Sequence, residues 1–217
     1  MYVCADDAKD AEEHCTSADD QKFVKALDAM RGNKNMMKGK TGRALSAYGK
    51  LGDAGVTIAA GGSGGDTKSY VQGDGSGKYQ AVSFVTIDVN AKGSVLDAAV
   101  GHEGSHVADA QDVVASGITP DGDTLHAGQN ITPYTSEVNA YGVTNSILSI
   151  ENQSVNYPCG MGSCTLGPGV MGGAVPGIVD RIVANDPRYN QGGRPMSSTN
   201  QGPSVVNGVT PNASVPH

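Results

Sequence analysis

The sequence of 217 residues is poor in large aromatic side chains, with no Trp and only two Phe. Hydrophobic residues make up 38% of the chain, alongside 31 Gly and 10 Pro. A chain of this length can bury a core as one domain. The composition nevertheless predicts a lean core and many loops and turns.

Positive charge is also scarce. The chain has 15 Lys and Arg against 22 Asp and Glu, for a formal net charge of −7. It lacks the basic patch that phosphate binding requires, which argues against a nucleic-acid partner. No stretch approaches the roughly 18 apolar residues of a membrane span. The acidic start, Met1–Asp7, lacks the apolar region of a signal peptide, so we expect no signal peptide within this chain.

The four cysteines form two local pairs, Cys4 with Cys15 and Cys159 with Cys164. Neither spacing matches the C-x2-C of a zinc ribbon. An even number of cysteines favours disulfides in an oxidising compartment, and local pairing is the connectivity that we favour. The alternative is four free thiols in a cytosolic protein.

One pentapeptide, His102–His106 with the sequence HEGSH, carries the strongest chemical pattern. Histidines four residues apart lie on one helix face, one turn apart, so both imidazoles can reach one metal ion. Glu103 lies beside them, which makes the H-E-x-x-H pattern typical of zinc hydrolases. A helix is predicted over 94–116, with both histidines on its apolar face. The alternatives are a pair of core histidines without metal and a non-catalytic zinc site.

A hydrolytic zinc site takes three protein ligands and leaves a position for water. Glu137 is the best candidate for the third ligand, because the chain has few Glu and this one lies near the start of a helix predicted over 135–152. Asp109, Asp112 and His126 compete with it. Asp109 is also a candidate acceptor beside a metal ligand, or an ordinary surface acid.

Hydrolysis requires a base and a donor for the developing oxyanion. Glu103 is the predicted base. Tyr141, four residues after Glu137 and so on the same helix face, is the predicted donor. Packing is the competing role for every tyrosine. The alternative donors are Tyr134, Tyr157 and His126.

The predicted fold class is α+β and zincin-like, with a small twisted sheet beside the H-E-x-x-H helix and a second ligand-bearing helix. Further helices are predicted over 17–31, 41–50 and 178–184, and strands over 56–60, 68–72 and 79–89. The last strand is expected to offer an edge to an extended peptide. The domain is expected to span 1–189, followed by a flexible tail rich in Gly, Pro, Ser and Asn over 190–217.

Two glycines interrupt the predicted metal helix. Gly101 and Gly104 each weaken a helix by roughly 1 kcal/mol relative to Ala. A helix that carries this cost is expected to be approached closely by another backbone or by a substrate.

The segment His102–His106, followed by Ser136–Ala140, resembles the gluzincin branch of zinc metallopeptidases, where a Glu on a following helix, often in an E-x-x-A setting, completes H-E-x-x-H. More narrowly, Tyr79–Asn145 resembles the metallopeptidase toxin domains at the C-termini of bacterial polymorphic toxins and type VI secretion effectors, including Rhs and VgrG fusions. The resemblance implies zinc bound by His102, His106 and Glu137, with Glu103 as base.

The chain departs from the thermolysin-like pattern at one position, because Tyr141 replaces the carboxylate four residues after the third ligand. The groups that support the metal ligands are therefore left open by the resemblance.

The expected function is zinc-dependent hydrolysis of peptide bonds in a peptide or protein substrate, as an antibacterial effector toxin. The resemblance implies delivery into the periplasm of a target cell as part of a larger effector, and a cognate immunity protein. One alternative is a zinc amidase or endopeptidase that acts on peptidoglycan peptides. Another is a secreted, non-catalytic binding module that a metal stabilises.

Overall fold

The computed structural model describes residues 2–4, 18–50, 55–61, 64–88, 90–121, 124–129, 131–191, 193–197 and 199. Five α-helices lie in these ranges. They are α1 Ala18–Gly32, α2 Gly39–Ala47, α3 Ser94–Ala115, α4 Pro133–Ile150 and α5 Val175–Val183. Short 3₁₀ turns occur at Gly172–Ala174 and Pro187–Tyr189.

Ten strands accompany the helices, which confirms the predicted α+β class. They are β1 Tyr2–Cys4, β2 Val56–Ala60, β3 Asp66–Gly73, β4 Tyr79–Ile87, β5 Ile118–Asp121, β6 Thr124–Ala127, β7 Val155–Cys159, β8 Gly162–Leu166, β9 Asn190–Gln191 and β10 Arg194–Pro195. The first four form one mixed sheet in the order β1-β2-β4-β3, and the other six form three separate antiparallel pairs.

Strand β4 lies inside the sheet, parallel to β2 on one side and antiparallel to β3 on the other. The expectation that the strand over 79–89 offers a free edge is therefore wrong. The alternation that made this strand easy to recognise places Val85 and Ile87 in the core, and both of its edges are already paired. Among the described strands, β3 is the one that lies at the edge next to β4.

The main core lies between the sheet and helices α1, α2 and α3. Helix α1 presents Phe23, Leu27 and Met30 to it, at the spacing of one helix face. Tyr48, just after α2, is fully buried, and its hydroxyl donates a hydrogen bond to the carbonyl oxygen of Val100 at 2.8 Å. That bond connects the end of α2 with α3, two residues before His102.

The two helix glycines allow other helices to approach α3 closely, as expected. A Cβ atom on Gly104 would lie 2.6 Å from the carbonyl oxygen of Ala44 in α2. A Cβ atom on Gly101 would overlap the side chain of Ile147 in α4. The propensity cost in α3 is thus offset by tight packing against α2 and α4.

A second core is built from α4, α5 and the β7–β8 pair. The sequence left 156–177 without an element, yet β7 and β8 pair antiparallel here and the disulfide Cys159–Cys164 links them. The predicted local pairing is confirmed for these two cysteines. Cys15 lies outside the described residues, so the pairing with Cys4 stays a prediction.

The chain after α5 continues along the second core. Strands β9 and β10 pair with each other, and Met196 is only 2% exposed. The domain boundary at 189 stays a prediction, and most of the predicted tail lies outside the described residues. None of the helices in the described ranges is long and apolar enough to cross a membrane.

Candidate metal centre

Helices α3 and α4 run antiparallel, and this arrangement brings Glu137 to the pentapeptide. Ser136 meets His106 near the start of α4, whereas Ile147 lies against Gly101, nearer the start of α3. Helix α4 begins where the Thr132 side chain accepts a hydrogen bond from a backbone N–H of the first turn, with Pro133 as its first residue.

The two carboxylate oxygens of Glu137 face the two imidazoles. Oε2 lies 3.5 Å from Nε2 of His102, and Oε1 lies 3.5 Å from Nε2 of His106. The three candidate donor atoms lie within 4.8 Å of one another. Ligand atoms about 2.1 Å from a tetrahedral zinc ion are separated by roughly 3.4 Å, so each of these nitrogen–oxygen separations is compatible with two ligands of one metal ion.

The environment of Glu137 also favours a cation. Its side chain is 11% exposed, and Oε2 is buried without a hydrogen-bond partner among the described residues. A buried carboxylate oxygen in this state carries a desolvation cost that a bound cation would offset. His102, His106 and Glu137 could therefore hold a metal ion, with two nitrogen donors and one or two oxygen donors.

The competing third ligands are engaged elsewhere. Asp112 forms an ion pair with Arg43 at 2.6 Å and its side chain is 70% exposed. His126, in β6, lies 3.6 Å from Asp121 in β5. Asp109 also contacts Arg43, at 3.2 Å. Among the described residues, the group of possible metal donors combines the two histidines with Glu137.

Glu103 is contacted by residues at the start of β3 and immediately before it. It is 4% exposed, and its Oε2 accepts a hydrogen bond from the hydroxyl of Thr67 at 2.7 Å. A Cβ atom on Gly65 would overlap its Oε1. Sequence reasoning missed both residues. The Gly-rich segment around Gly65 was visible as a turn, but nothing local connected it with position 103.

Tyr141 lies beside the site in a packed position. Its ring is edge-on to that of His102, with centroids 4.6 Å apart, and it is 6% exposed. Burial first, and then the charge of Glu137, raise its pKa well above the ordinary value. It is not among the residues that line the cleft described below. The role of oxyanion donor stays a prediction for Tyr141.

The alternative donors differ in their surroundings. Tyr134 donates a hydrogen bond to Asp180 at 2.7 Å. Tyr157 packs on the far side of Tyr141, with ring centroids 5.5 Å apart, and burial raises its pKa to about 12. Tyr134 therefore belongs to the second core, and Tyr157 packs against it.

A cleft of about 590 Å³ opens over the candidate ligands. It is lined by Gly65–Tyr70, by the three ligands with Glu103, and by Arg188 and Tyr189 of the last 3₁₀ turn. The guanidinium of Arg188 is held by Asp186 at 2.6 Å. Sequence reasoning missed Arg188 and Tyr189, because no motif marks this turn and its approach depends on how the chain returns after α5.

The charges of the centre influence one another. Burial lowers the pKa of His102, but interaction with Glu137 and the charge of Glu103 outweigh it, so the pKa rises overall. Burial raises the pKa of Glu137, and the opposing effects of His106, His102 and Tyr189 lower it overall. The two directions agree, because a negative carboxylate and a protonated imidazole stabilise each other.

The second nitrogen of each imidazole contacts a hydroxyl group on α4. Nδ1 of His102 lies 3.3 Å from Oγ1 of Thr144, and Nδ1 of His106 lies 2.8 Å from Oγ of Ser136. The Ser136 hydroxyl in turn donates to Oδ2 of Asp109 at 2.9 Å. Asp109 thus lies behind a ligand, with a serine between them.

Comparison of the chain with protein-family models, with curated proteins and with solved structures finds no match. The geometry of the centre and the sequence motif are therefore the observations that indicate a function.

Proposed function

We propose that the protein is a zinc-dependent hydrolase of peptide bonds with a zincin-like fold. The observation that carries the proposal is the position of Glu137, whose two oxygens each lie 3.5 Å from a histidine Nε2. Two imidazoles and one carboxylate are the donor set of hydrolytic zinc sites, which keep a fourth position open. The cleft above the donors supplies access to that position.

His102, His106 and Glu137 would hold the zinc ion. When bound, zinc lowers the pKa of a coordinated water towards about 7 and polarises the substrate carbonyl. Glu103 is the base: its carboxylate accepts the proton from the attacking water and then protonates the leaving amine nitrogen.

The surroundings of Glu103 suit this role. Thr67 occupies one carboxylate oxygen through its hydroxyl, and the absence of a side chain at Gly65 leaves space beside the other. Both residues line the cleft with Glu103, so the carboxylate is held at the point where a substrate would enter. Preorganisation of this kind is what a general base requires.

The substrate we propose is an extended polypeptide segment. Strand β3 is at the edge of the main sheet, and its residues Asp66–Tyr70 line the cleft that contains Glu103. An extended peptide can add to such an edge through backbone hydrogen bonds, which would lay a peptide bond across the metal centre.

The biological setting we propose is that of an antibacterial effector toxin that is delivered by a larger protein into the periplasm of a target cell. The resemblance of Tyr79–Asn145 to metallopeptidase toxin domains supports it. The disulfide Cys159–Cys164 supports an oxidising compartment. A cognate immunity protein belongs to this setting.

The test compares the wild-type chain with Glu103→Gln and, as a control, Asp112→Asn, an exposed acid outside the metal group. Each protein is loaded with zinc, its metal content is measured, and cleavage of unfolded casein and of purified peptidoglycan is followed by mass spectrometry. We expect about one zinc per chain in all three proteins, and casein cleavage by the wild type and by Asp112→Asn alone, because only Glu103 serves as base.

The other outcomes separate the alternatives. Release of peptides from peptidoglycan, without cleavage of casein, would instead identify a cell-wall amidase or endopeptidase. Zinc that stabilises the protein, with no substrate cut, would identify the binding module. A folded protein that binds no zinc would overturn the proposal.

A further inference from the structure

A chain of hydrogen bonds runs from a buried carboxylate to one of the candidate ligands. The Ser136 hydroxyl donates to Asp109 Oδ2 at 2.9 Å, and the Oγ atom of Ser136 lies 2.8 Å from Nδ1 of His106. We infer that Ser136 is a positioning residue that transmits the charge of Asp109 to His106 and holds this imidazole in the tautomer with its proton on Nδ1. The inference rests on the proposed role of His106 as a metal ligand.

The tautomer follows from counting protons. A serine hydroxyl has one proton to donate and can accept further hydrogen bonds, whereas a carboxylate only accepts them. Because Ser136 gives its proton to Asp109, its contact with His106 requires a donor on the imidazole side. Nδ1 of His106 must therefore carry the proton. Nε2 is then the nitrogen that faces Glu137, 3.5 Å away, and it is the atom that would bind a metal.

The carboxylate of Asp109, at the far end of this series of hydrogen bonds, is held by several neighbouring groups. Asp109 is 4% exposed, and it receives the guanidinium of Arg43 at 3.2 Å and the amide of Asn139 at 3.3 Å. Ser136 is itself 7% exposed. Buried polar chains of this kind polarise one another and are costly to break. The network joins α2, α3 and α4, so it couples the packing of three helices to the orientation of one imidazole.

The other histidine has a weaker arrangement. Nδ1 of His102 lies 3.3 Å from Thr144 Oγ1, a longer contact than that of His106 with Ser136. Among the contacts of the described residues, no carboxylate lies behind Thr144 as Asp109 lies behind Ser136. Thr144 therefore provides a matched control: a hydroxyl on the same helix, next to the same metal group, without the charged partner.

The imidazole tautomer can be measured without substrate or metal. Two-bond ¹H–¹⁵N correlation spectra of the metal-free wild-type protein, recorded above the pKa of its histidines, assign the protonated nitrogen of each ring. We expect Nδ1 of His106 to carry a proton, although free imidazole side chains favour Nε2. An Nδ1 of His106 without a proton would overturn the inference, and this measurement needs no variant to fold.

Zinc affinity gives the second readout, by competition with a chromophoric chelator. Removing a hydrogen-bond partner of a ligating histidine typically weakens metal binding by about 10- to 100-fold. We expect a loss of this size for Ser136→Ala and a smaller loss for Thr144→Val, whereas Ser136→Thr should retain most of the affinity. Equal affinities of Ser136→Ala and the wild type would overturn the inference, as would a loss in Ser136→Thr as large as in Ser136→Ala.

These results are independent of catalysis. If the wild type binds zinc through His106 and the expected losses occur, but no peptide is cleaved, the positioning role stands and the peptidase proposal fails. If the wild type cleaves peptides, but Nδ1 of His106 carries no proton or Ser136→Ala binds zinc as tightly as the wild type, the peptidase proposal stands and the positioning role fails.

Discussion

The carboxylate of Glu103 occupies the space that a side chain at Gly65 would need. A Cβ atom built on Gly65 would overlap Oε1 of Glu103, while Thr67, two residues along β3, donates its hydroxyl to Oε2. The edge of the sheet therefore sets the position of the proposed base, although the base itself belongs to α3.

The substitution Gly65→Ala should impair hydrolysis without loss of zinc. The added methyl group must displace the end of a flexible side chain, which costs little stability, but the carboxylate then leaves its position. A displacement of about 1 Å in a catalytic group can cost around 10²-fold in rate. We expect a decrease in kcat of this order, measured on a fluorogenic peptide.

Gly61→Ala is the matched control for that experiment. Gly61 belongs to the same Gly-rich segment, and a Cβ atom there would meet nothing within 4 Å. Its kcat should equal that of the wild type. Equal rates for Gly65→Ala and Gly61→Ala would show that the contact with Glu103 has no catalytic consequence.

A second prediction concerns helix packing. Gly104→Ala should destabilise the protein, because the new methyl group meets the backbone of Ala44 and the ring of Tyr48, neither of which can move freely. An overpacking cost of about 1–3 kcal/mol, less the roughly 1 kcal/mol that alanine contributes to a helix, leaves a net loss of up to about 2 kcal/mol. Urea unfolding of the wild type and the variant measures the difference.

Gly142→Ala tests the same substitution without the clash. Gly142 lies in α4, and a Cβ atom there would meet nothing within 4 Å. This variant should be more stable than the wild type by up to about 1 kcal/mol. A stabilising Gly104→Ala would contradict the assignment of Gly104 as the point of close contact between α2 and α3.

A third prediction concerns an acidic pair away from the cleft. Asp97, near the start of α3, has a pKa raised to about 7. Burial is the largest cause, followed by a hydrogen bond with Glu151 at the end of α4 and by the negative charge of Glu151. The unfolded chain releases this proton near pH 4. The folded state therefore binds the extra proton between about pH 4 and about pH 7, and stability falls as the pH rises through that range.

The substitution Asp97→Asn should remove this part of the pH dependence. The shift corresponds to about 4 kcal/mol at face value, and solvent screening of the half-buried group reduces the expected effect to about 1–2 kcal/mol. Unfolding at about pH 5 and about pH 8 should therefore show a smaller loss of stability in Asp97→Asn than in the wild type. Asp28→Asn, an exposed change on α1, should keep the wild-type slope. If all three proteins lose the same amount of stability between these pH values, the Asp97–Glu151 pair is not the source of the pH dependence.

A fourth prediction concerns the third ligand. Zinc at about 100 times its dissociation constant should stabilise the wild type by about 2.7 kcal/mol, seen as a rise in Tm by calorimetry. Glu137→Gln keeps the shape of the side chain but removes its charge, so the rise should largely disappear. His126→Gln, which alters a histidine paired with Asp121, should respond to zinc as the wild type does. If the zinc-induced rise in Tm persists in Glu137→Gln and disappears in His126→Gln, the third ligand is His126.

The part of the fold that the sequence predicts well is the part governed by local patterns. The helix that carries the histidines was expected over 94–116 and spans Ser94–Ala115, and the strand over 56–60 has the predicted bounds. The β7–β8 pair was missed. Its strands are short and half-exposed, and their pairing depends on packing against α4 and α5, which no local period reports.

Local residue spacing accounts for half of the candidate centre. A spacing of four residues places His102 and His106 on adjacent turns of any α-helix, and Glu103 beside them, whatever the rest of the chain does. The residues that surround them come from other helices and strands, and their positions depend on how these elements pack. Glu137 reaches the histidines because α4 packs antiparallel to α3, and Gly65 meets Glu103 because the start of β3 lies beside α3. These contacts join positions far apart in the chain, so they depend on how whole elements pack and not on local residue spacing.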